Sequence, residues 1–289
     1  MSYDLFFKPR SGIINPDRFV QYFESRPGFK VNIPQAWYQN DDTGVYFVFE
    51  LRSDTGEDDA GAYPVSLNIN YFRPSYFVLE AEPEVTKFVQ EFDLMVSDPQ
   101  WHGMGEGEYN ADLLVSGWNH GNDFGYSAVL GDPNNRKDIY SLPSQTLAEV
   151  WRWNHGRQKL QQFIGESKYL PRVMFVLLDG DVVTAAVWPD GIPIVVPPVD
   201  YLIVPRKELA PKRFFRRVED RTLVTWKSVL PVFERHSKKR YGTAIALDYE
   251  KPPSDVIQFV ESLPKDDREL TGLSADQVLD RELFEKYAV

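Results

Sequence analysis

Residues Trp37 to Leu51 read WYQNDDTGVYFVFEL, and this stretch decides the fold. Val45, Phe47, Phe49 and Leu51 alternate with Tyr46, Val48 and Glu50, which puts successive side chains on opposite faces of a strand. A second aromatic-rich run precedes it. Between the two lies Asn40-Asp41-Asp42-Thr43-Gly44, where Asn and Asp can bond their own backbone and Gly44 has no Cβ to clash. The stretch predicts a β-hairpin.

The pattern continues outward from the hairpin. Upstream, Leu5-Phe6-Phe7 predicts a strand and Pro9 to Gly12 a turn. Asn15-Pro16 is a helix start, followed by Phe19, Tyr22 and Phe23 at helical spacing. Phe29 to Tyr38 predicts one strand, interrupted at Pro34. Downstream, Arg52 to Tyr63 is a loop rich in Asp, Glu and Gly, and Pro64 to Phe72 alternates as a further strand. Tyr76 to Glu80 is expected to extend the sheet. Glu82-Pro83 is expected to open a helix carrying Val85, Phe88, Val89 and Phe92, and Leu94 to Val96 a last strand. Residues 1–100 therefore predict an α+β domain of order β-α-β-β-β-α, a mainly antiparallel sheet with helices packed on one face.

Asp98 to Asn110, with one proline and three glycines, is the expected boundary. Residues 111–289 are expected to form a second α+β region. Asp112 to Leu130 is ambiguous between helix and strand. Ser144 is expected to cap a helix of about twenty residues that buries Leu147, Val150, Trp151, Leu160, Phe163 and Ile164. A β-meander follows, with turns at Asp179-Gly180 and Pro189-Asp190-Gly191. Lys207 to Val218 predicts an exposed basic helix or loop, Ser254 starts another helix, and Ser274 with Gln277 forms a capping box for a last one.

Composition narrows the function. With 43% hydrophobic and 14% aromatic residues the chain can fill a core, and no run approaches the roughly 20 apolar residues that span a bilayer. The opening MSYDLFFKPRSG lacks the three parts of a secretory signal, and the absence of cysteine excludes disulfides and thiolate chemistry. A cytoplasmic location is the expectation, with no membrane partner. Net charge is −11, unevenly spread: residues 1–112 carry 8 basic and 19 acidic groups, residues 205–247 carry 12 and 4. An acidic surface favours a basic partner over nucleic acid.

No catalytic signature emerges, and no cofactor or metal is expected. Two of the four histidines share a tetrapeptide, Trp118-Asn119-His120-Gly121 and Trp153-Asn154-His155-Gly156. They could converge on a substrate or metal, although no familiar ligand spacing accompanies them; buried packing of Trp-Asn with a hydrogen-bonded tip is the plainer reading. Gly103, Gly105 and Gly107 resemble a phosphate loop, but Glu106 and Glu108 would repel phosphate. Lys212, Arg213, Arg216 and Arg217 around Phe214 and Phe215 form an alternative anion-binding set, which could track a nucleic-acid backbone or face an acidic counter-surface of the chain itself. Asp54, Glu57, Asp58 and Asp59 lack the spacing of a calcium loop and are expected to be a partner-binding patch.

Tyr3-Asp4-Leu5-Phe6-Phe7, Tyr22-Phe23 with Arg26, and Thr43-Gly44-Val45-Tyr46-Phe47 resemble a group of uncharacterised bacterial proteins that begin with a Y-D-L-aromatic strand and carry a T-G-V-Y-F hairpin. The resemblance covers mainly residues 3–100. Acidic α+β proteins of this kind resemble the immunity proteins of interbacterial toxin systems, which implies a non-enzymatic protein that occludes a basic toxin domain. An enzyme or nucleotide binder using the histidines and basic segment, and a subunit of a structural homo-oligomer, are the alternatives.

Overall fold

A computed structural model describes residues 1–52, 63–213 and 216–288; the side chains of Lys212, Arg213 and Arg216 lie outside the description. The chain is α+β and forms two compact units, residues 1–148 with 275–289, and residues 149–274. The first stretch contains β1 (Ser2–Pro9), α1 (Pro16–Glu24), β2 (Phe29–Asn32), β3 (Gln35–Asn40), β4 (Val45–Leu51), β5 (Val65–Asn70), α2 (Tyr76–Phe92), β6 (Leu94–Asp98), β7 (Gly105–Gly107), α3 (Ala111–Leu130) and β8 (Tyr140–Leu142). The division between the units falls within α4 (Ser144–Ile164).

The central hairpin forms as its alternation requires. β3 and β4 pair antiparallel from Gln35–Glu50 to Asn40–Val45, and Gly44 takes the left-handed backbone with φ of 75°. The hairpin sits inside a seven-stranded antiparallel sheet of order β2-β3-β4-β5-β1-β6-β7. Tyr3, Leu5 and Phe7 of β1, Phe47 and Phe49 of β4, and Val65, Leu67 and Ile69 of β5 are all buried. Phe7, Phe23, Phe49 and Phe88 meet with ring centroids 4.8 to 6.0 Å apart, which joins β1 and β4 to α1 and α2.

Four expectations in this unit are corrected. Phe29 to Tyr38 is a hairpin of two strands, because the chain reverses at Ile33-Pro34 and Phe29 pairs with Tyr38. Tyr76 to Glu80 is the first turns of α2, not a strand, and Pro83 lies inside that helix. A short apolar run reads alike as strand or buried helix; here the Asp280 carboxylate accepts Ser75 N–H at 2.8 Å at the start of α2. The glycine-rich stretch after Asp98 is no domain boundary: β7 adds to the sheet and α3 packs on the same unit. Ser274 opens only a 3-10 turn, Ala275–Gln277; Val278 to Asp280 is a strand pairing parallel with β8, and the last α-helix, with Leu283 and Phe284, starts at Arg281.

Residues 149–274 hold β9 (Met174–Leu178), β10 (Asp181–Val187), β11 (Val195–Val196), β12 (Tyr201–Arg206), β13 (Lys212–Arg213), β14 (Arg216–Arg217), β15 (Asp220–Thr225), α5 (Trp226–Arg235), β16 (Ser237–Tyr241), β17 (Ala244–Leu247), α6 (Ser254–Ser262) and β18 (Thr271–Leu273). The last residues form β19 (Val278–Asp280) and α7 (Arg281–Tyr287), which belong to the first unit. β9 and β10 join through Asp179 and Gly180, both at positive φ as the Asp-Gly turn predicts. The run expected as a meander is divided: β12 pairs parallel with β10, while β11 leaves for a second sheet of order β11-β17-β16. Phe163 of α4 is exposed rather than buried, whereas Leu160 and Ile164 pack on Leu170, Val195, Ala244 and Ala246. Among the described residues no helix is long and apolar enough to cross a membrane.

Candidate functional site

A cavity of about 660 Å³ opens in the first unit. One wall is α3, which carries Gly117, Gly121 and Gly125 four residues apart. A Cβ on Gly121 would stand 2.1 Å from the Tyr71 ring, so glycine leaves room for Tyr71, which lines the cavity. Tyr71 donates to Gln100 Oε1 at 3.3 Å, and burial pushes its phenol pKa up, so it stays a neutral donor. Asn122 fixes the helix further by accepting from Arg73 N–H and donating to Arg73 C=O, at 3.1 and 2.9 Å.

The opposite rim is the loop after β6. Its anchor is Asp98, a buried carboxylate that accepts from Tyr3 Oη and from the backbone N–H groups of Gln100 and Met104, the latter two both at 3.0 Å. Gly103 crosses directly over this carboxylate, where a Cβ would come within 2.3 Å of it. The clamp explains the glycine that resembled a phosphate loop, and it holds Trp101 and His102 outward. Trp101 is 94% exposed and Phe124, across the mouth on α3, is 65% exposed. The His102 and His120 rings stack with centroids 4.6 Å apart and planes at 26°. His120 Nδ1 lies 2.9 Å from Ser116 C=O. A carbonyl only accepts, so Nδ1 carries a proton.

Asp123 completes the wall. Burial pushes its pKa up, but hydrogen bonds from Lys286 Nζ at 2.9 Å and Tyr287 Oη at 2.7 Å outweigh this and hold it below the usual carboxylate range. Lys286 Nζ also stands 4.8 Å from the centroid of the Tyr287 ring, a cation held over an aromatic face.

The residues singled out from sequence fall in different places. Asp54, Glu57, Asp58 and Asp59 lie outside the described residues, as do the side chains of Lys212, Arg213 and Arg216, whose backbones form the small β13–β14 hairpin. Arg217 donates to Glu261 at 3.0 Å and to Ala210 C=O at 2.6 Å. Arg206, counted with the basic segment, is buried and ion-paired with Asp220 at 2.8 Å. Arg235 and Lys238 lie within 3.8 Å of Asp255 and Asp248. The counter-charges of these four lie within residues 149–274 themselves.

His120 is on the cavity, whereas His155 stacks on Trp151 at 5.6 Å in the other unit. The expected packing role of the repeated Trp-Asn holds for the second copy. Trp153 donates to Pro171 C=O, and Asn154 exchanges two hydrogen bonds of 2.9 Å with Val173. In the first copy Trp118 is buried with no partner at Nε1, and Asn122 makes the paired bonds instead. Among the described residues no three His, Asp or Glu groups are placed to hold a metal ion.

Sequence reasoning passed over Trp101 and Phe124. The signal was a tryptophan next to a histidine in a stretch with few other apolar residues, which has no core to enter. Comparison with protein-family models, curated proteins and solved structures found no match for this chain.

Proposed function

We propose that this chain is a non-enzymatic protein-binding protein of the immunity type, which engages a basic partner through the first unit. The observation that carries the reading is the pair of exposed aromatic side chains, Trp101 and Phe124, at the mouth of the cavity. Trp is the residue most enriched among interface anchors, and an exposed aromatic beside a concave site is surface set aside for contact. Charge supports the same reading. The first unit holds 12 Lys and Arg against 26 Asp and Glu, net −14, and the second holds 20 against 17, net +3. A field of that sign speeds encounter with a basic surface.

The test is affinity capture from the source cells with the wild-type chain and with a Trp101→Ala/Phe124→Ala variant, followed by expression of the captured protein alone and with this chain. The reading expects a stoichiometric protein that arrests growth alone, is neutralised by this chain, and is recovered about tenfold less by the variant. Absence of a stoichiometric protein, or equal recovery by the variant, would overturn it. Reversing charge at Asp54, Glu57, Asp58 and Asp59 should slow association and flatten its salt dependence; unchanged kinetics would remove those residues from the contact.

A further inference from the structure

We infer that the cavity receives a cationic side chain, the ammonium of a lysine or the guanidinium of an arginine presented by the protein partner. The inference rests on the protein-binding reading above and names the group that enters.

Four observations converge. A cavity near 660 Å³ has the volume of a site for a small organic group rather than for a helix or strand. Tyr71, Trp101, Phe124 and Tyr287 all line it, and the face of each ring carries the negative lobe of its quadrupole. Asp123 is the carboxylate on the wall, and its Oδ1 accepts one hydrogen bond, from Lys286, which leaves that oxygen a lone pair for a further N–H donor. No lysine or arginine is among the described lining residues, and Asp123, paired with Lys286, is the carboxylate an incoming group would meet. A unit of net charge −14 disfavours an anion.

The protein already displays this chemistry at the edge of the cavity. Lys286 Nζ is held between the Asp123 carboxylate and the Tyr287 ring, at 2.9 Å from an oxygen and 4.8 Å from the centroid. A second cation entering from solvent would find Trp101 and Phe124 for its faces and the remaining lone pair of Asp123 Oδ1 for an N–H donor. The guanidinium is the better fit of the two, because it is planar, stacks on aromatic rings and is weakly hydrated.

The experiment titrates the full chain with four capped amino acids, N-acetyl methylamides of arginine, lysine, norleucine and glutamate, following tryptophan fluorescence and saturation-transfer NMR. Arginine and lysine should saturate the signal; norleucine, the uncharged analogue of lysine, and glutamate should bind about tenfold more weakly or not at all. Trp101→Ala, at an exposed position where loss of fold is not a concern, should weaken arginine binding about tenfold, and Asp123→Asn should weaken it as well.

Norleucine binding as tightly as lysine would make the cavity an apolar pocket and overturn the inference. So would unchanged affinity in Trp101→Ala. Putrescine binding where the capped amino acids do not would assign the site to a free amine and overturn the side-chain source. The two readings fail separately. A captured partner lost in the Trp101→Ala/Phe124→Ala variant, with no capped amino acid bound, leaves the interface and removes the cation. Arginine binding with no captured partner leaves a cation site and removes the immunity reading.

Discussion

At the scale of single residues, the same tetrapeptide does two different things. Gly121 and Gly156 both end a Trp-Asn-His-Gly sequence inside a helix. A methyl on Gly121 would meet the Tyr71 ring at 2.1 Å, while one on Gly156 would meet nothing within 4 Å. Gly121→Ala should therefore destabilise the first unit by about 1–3 kcal/mol through overpacking. Gly156→Ala should stabilise its helix by about 1 kcal/mol, since Ala is the better helix former. Urea unfolding of the two variants checks both signs. Glu80 is the second case. Its buried Oε1 accepts from Tyr38 Oη, Asn40 Nδ2 and Thr43 Oγ1 at 2.8, 2.7 and 3.1 Å, so it ties the hairpin turn to α2. Glu80→Ala should cost about 3 kcal/mol or more by leaving these donors unpaired, and Thr43→Val only about 1 kcal/mol. Equal losses in the two would contradict the shared-acceptor account. The resemblance motif Thr-Gly-Val-Tyr-Phe thus has a physical content: Thr43 reaches Glu80, and Gly44 turns the chain where a Cβ would stand 2.6 Å from that of Ala275.

At the scale of elements, side chains that cap or dock helices carry the testable consequences. Arg206 of β12 is fully buried, pairs with both oxygens of Asp220 and donates to Val260 C=O and Leu263 C=O at the end of α6. Arg206→Met should cost about 3–5 kcal/mol, because it leaves a buried carboxylate and two carbonyls unanswered. Arg206→Lys should recover little, since a point charge cannot serve all four acceptors. Chemical denaturation of the three proteins decides it.

The docking of α7 on α3 is sensitive to acid. Asp123 titrates below its unfolded value near 4 because Lys286 and Tyr287 bond its carboxylate. A depressed carboxylate contributes stability that is present above the unfolded pKa and lost as pH falls through the folded one. Wild type should exceed Asp123→Asn in thermal midpoint at pH 7, and the gap should close as pH falls below the unfolded value near 4 and through the lower folded one. A gap independent of pH would remove Asp123 as the cause.

At the scale of the molecule, the last fifteen residues complete the first unit. Leu279 is buried with Tyr126 and Leu130, and Leu283, Phe284 and Tyr287 pack around them. Deleting residues 275–289 uncovers this cluster, at a cost of about 2–3 kcal/mol for Leu279 alone. Hydrogen exchange should then show protection lost along α3 but kept in β9 and β10, which belong to the other unit. The division of charge into −14 and +3 also follows the units, and sequence-ordered segments blurred it because 275–289 return to the unit they left.

Local alternation and turn chemistry were legible in the amino-acid sequence. The hairpin at Trp37–Leu51, the Asp179-Gly180 turn, the Asn15 cap and the stripe Val85, Phe88, Phe92 all rest on periods and backbone preferences that neighbouring residues impose on one another. Tertiary structure decided what depends on residues distant in the chain. Tyr76–Glu80 became helix where Asp280 meets Ser75 N–H, and α3 has glycine at 117, 121 and 125 where Tyr3, Tyr71 and Phe72 lie against it. The cavity brings β5's end, the loop after β6, α3 and α7 together from positions more than two hundred residues apart. No periodicity encodes such a meeting; it is a property of packing, where a ring, a helix face and a carboxylate exclude one another's volume and satisfy one another's charge.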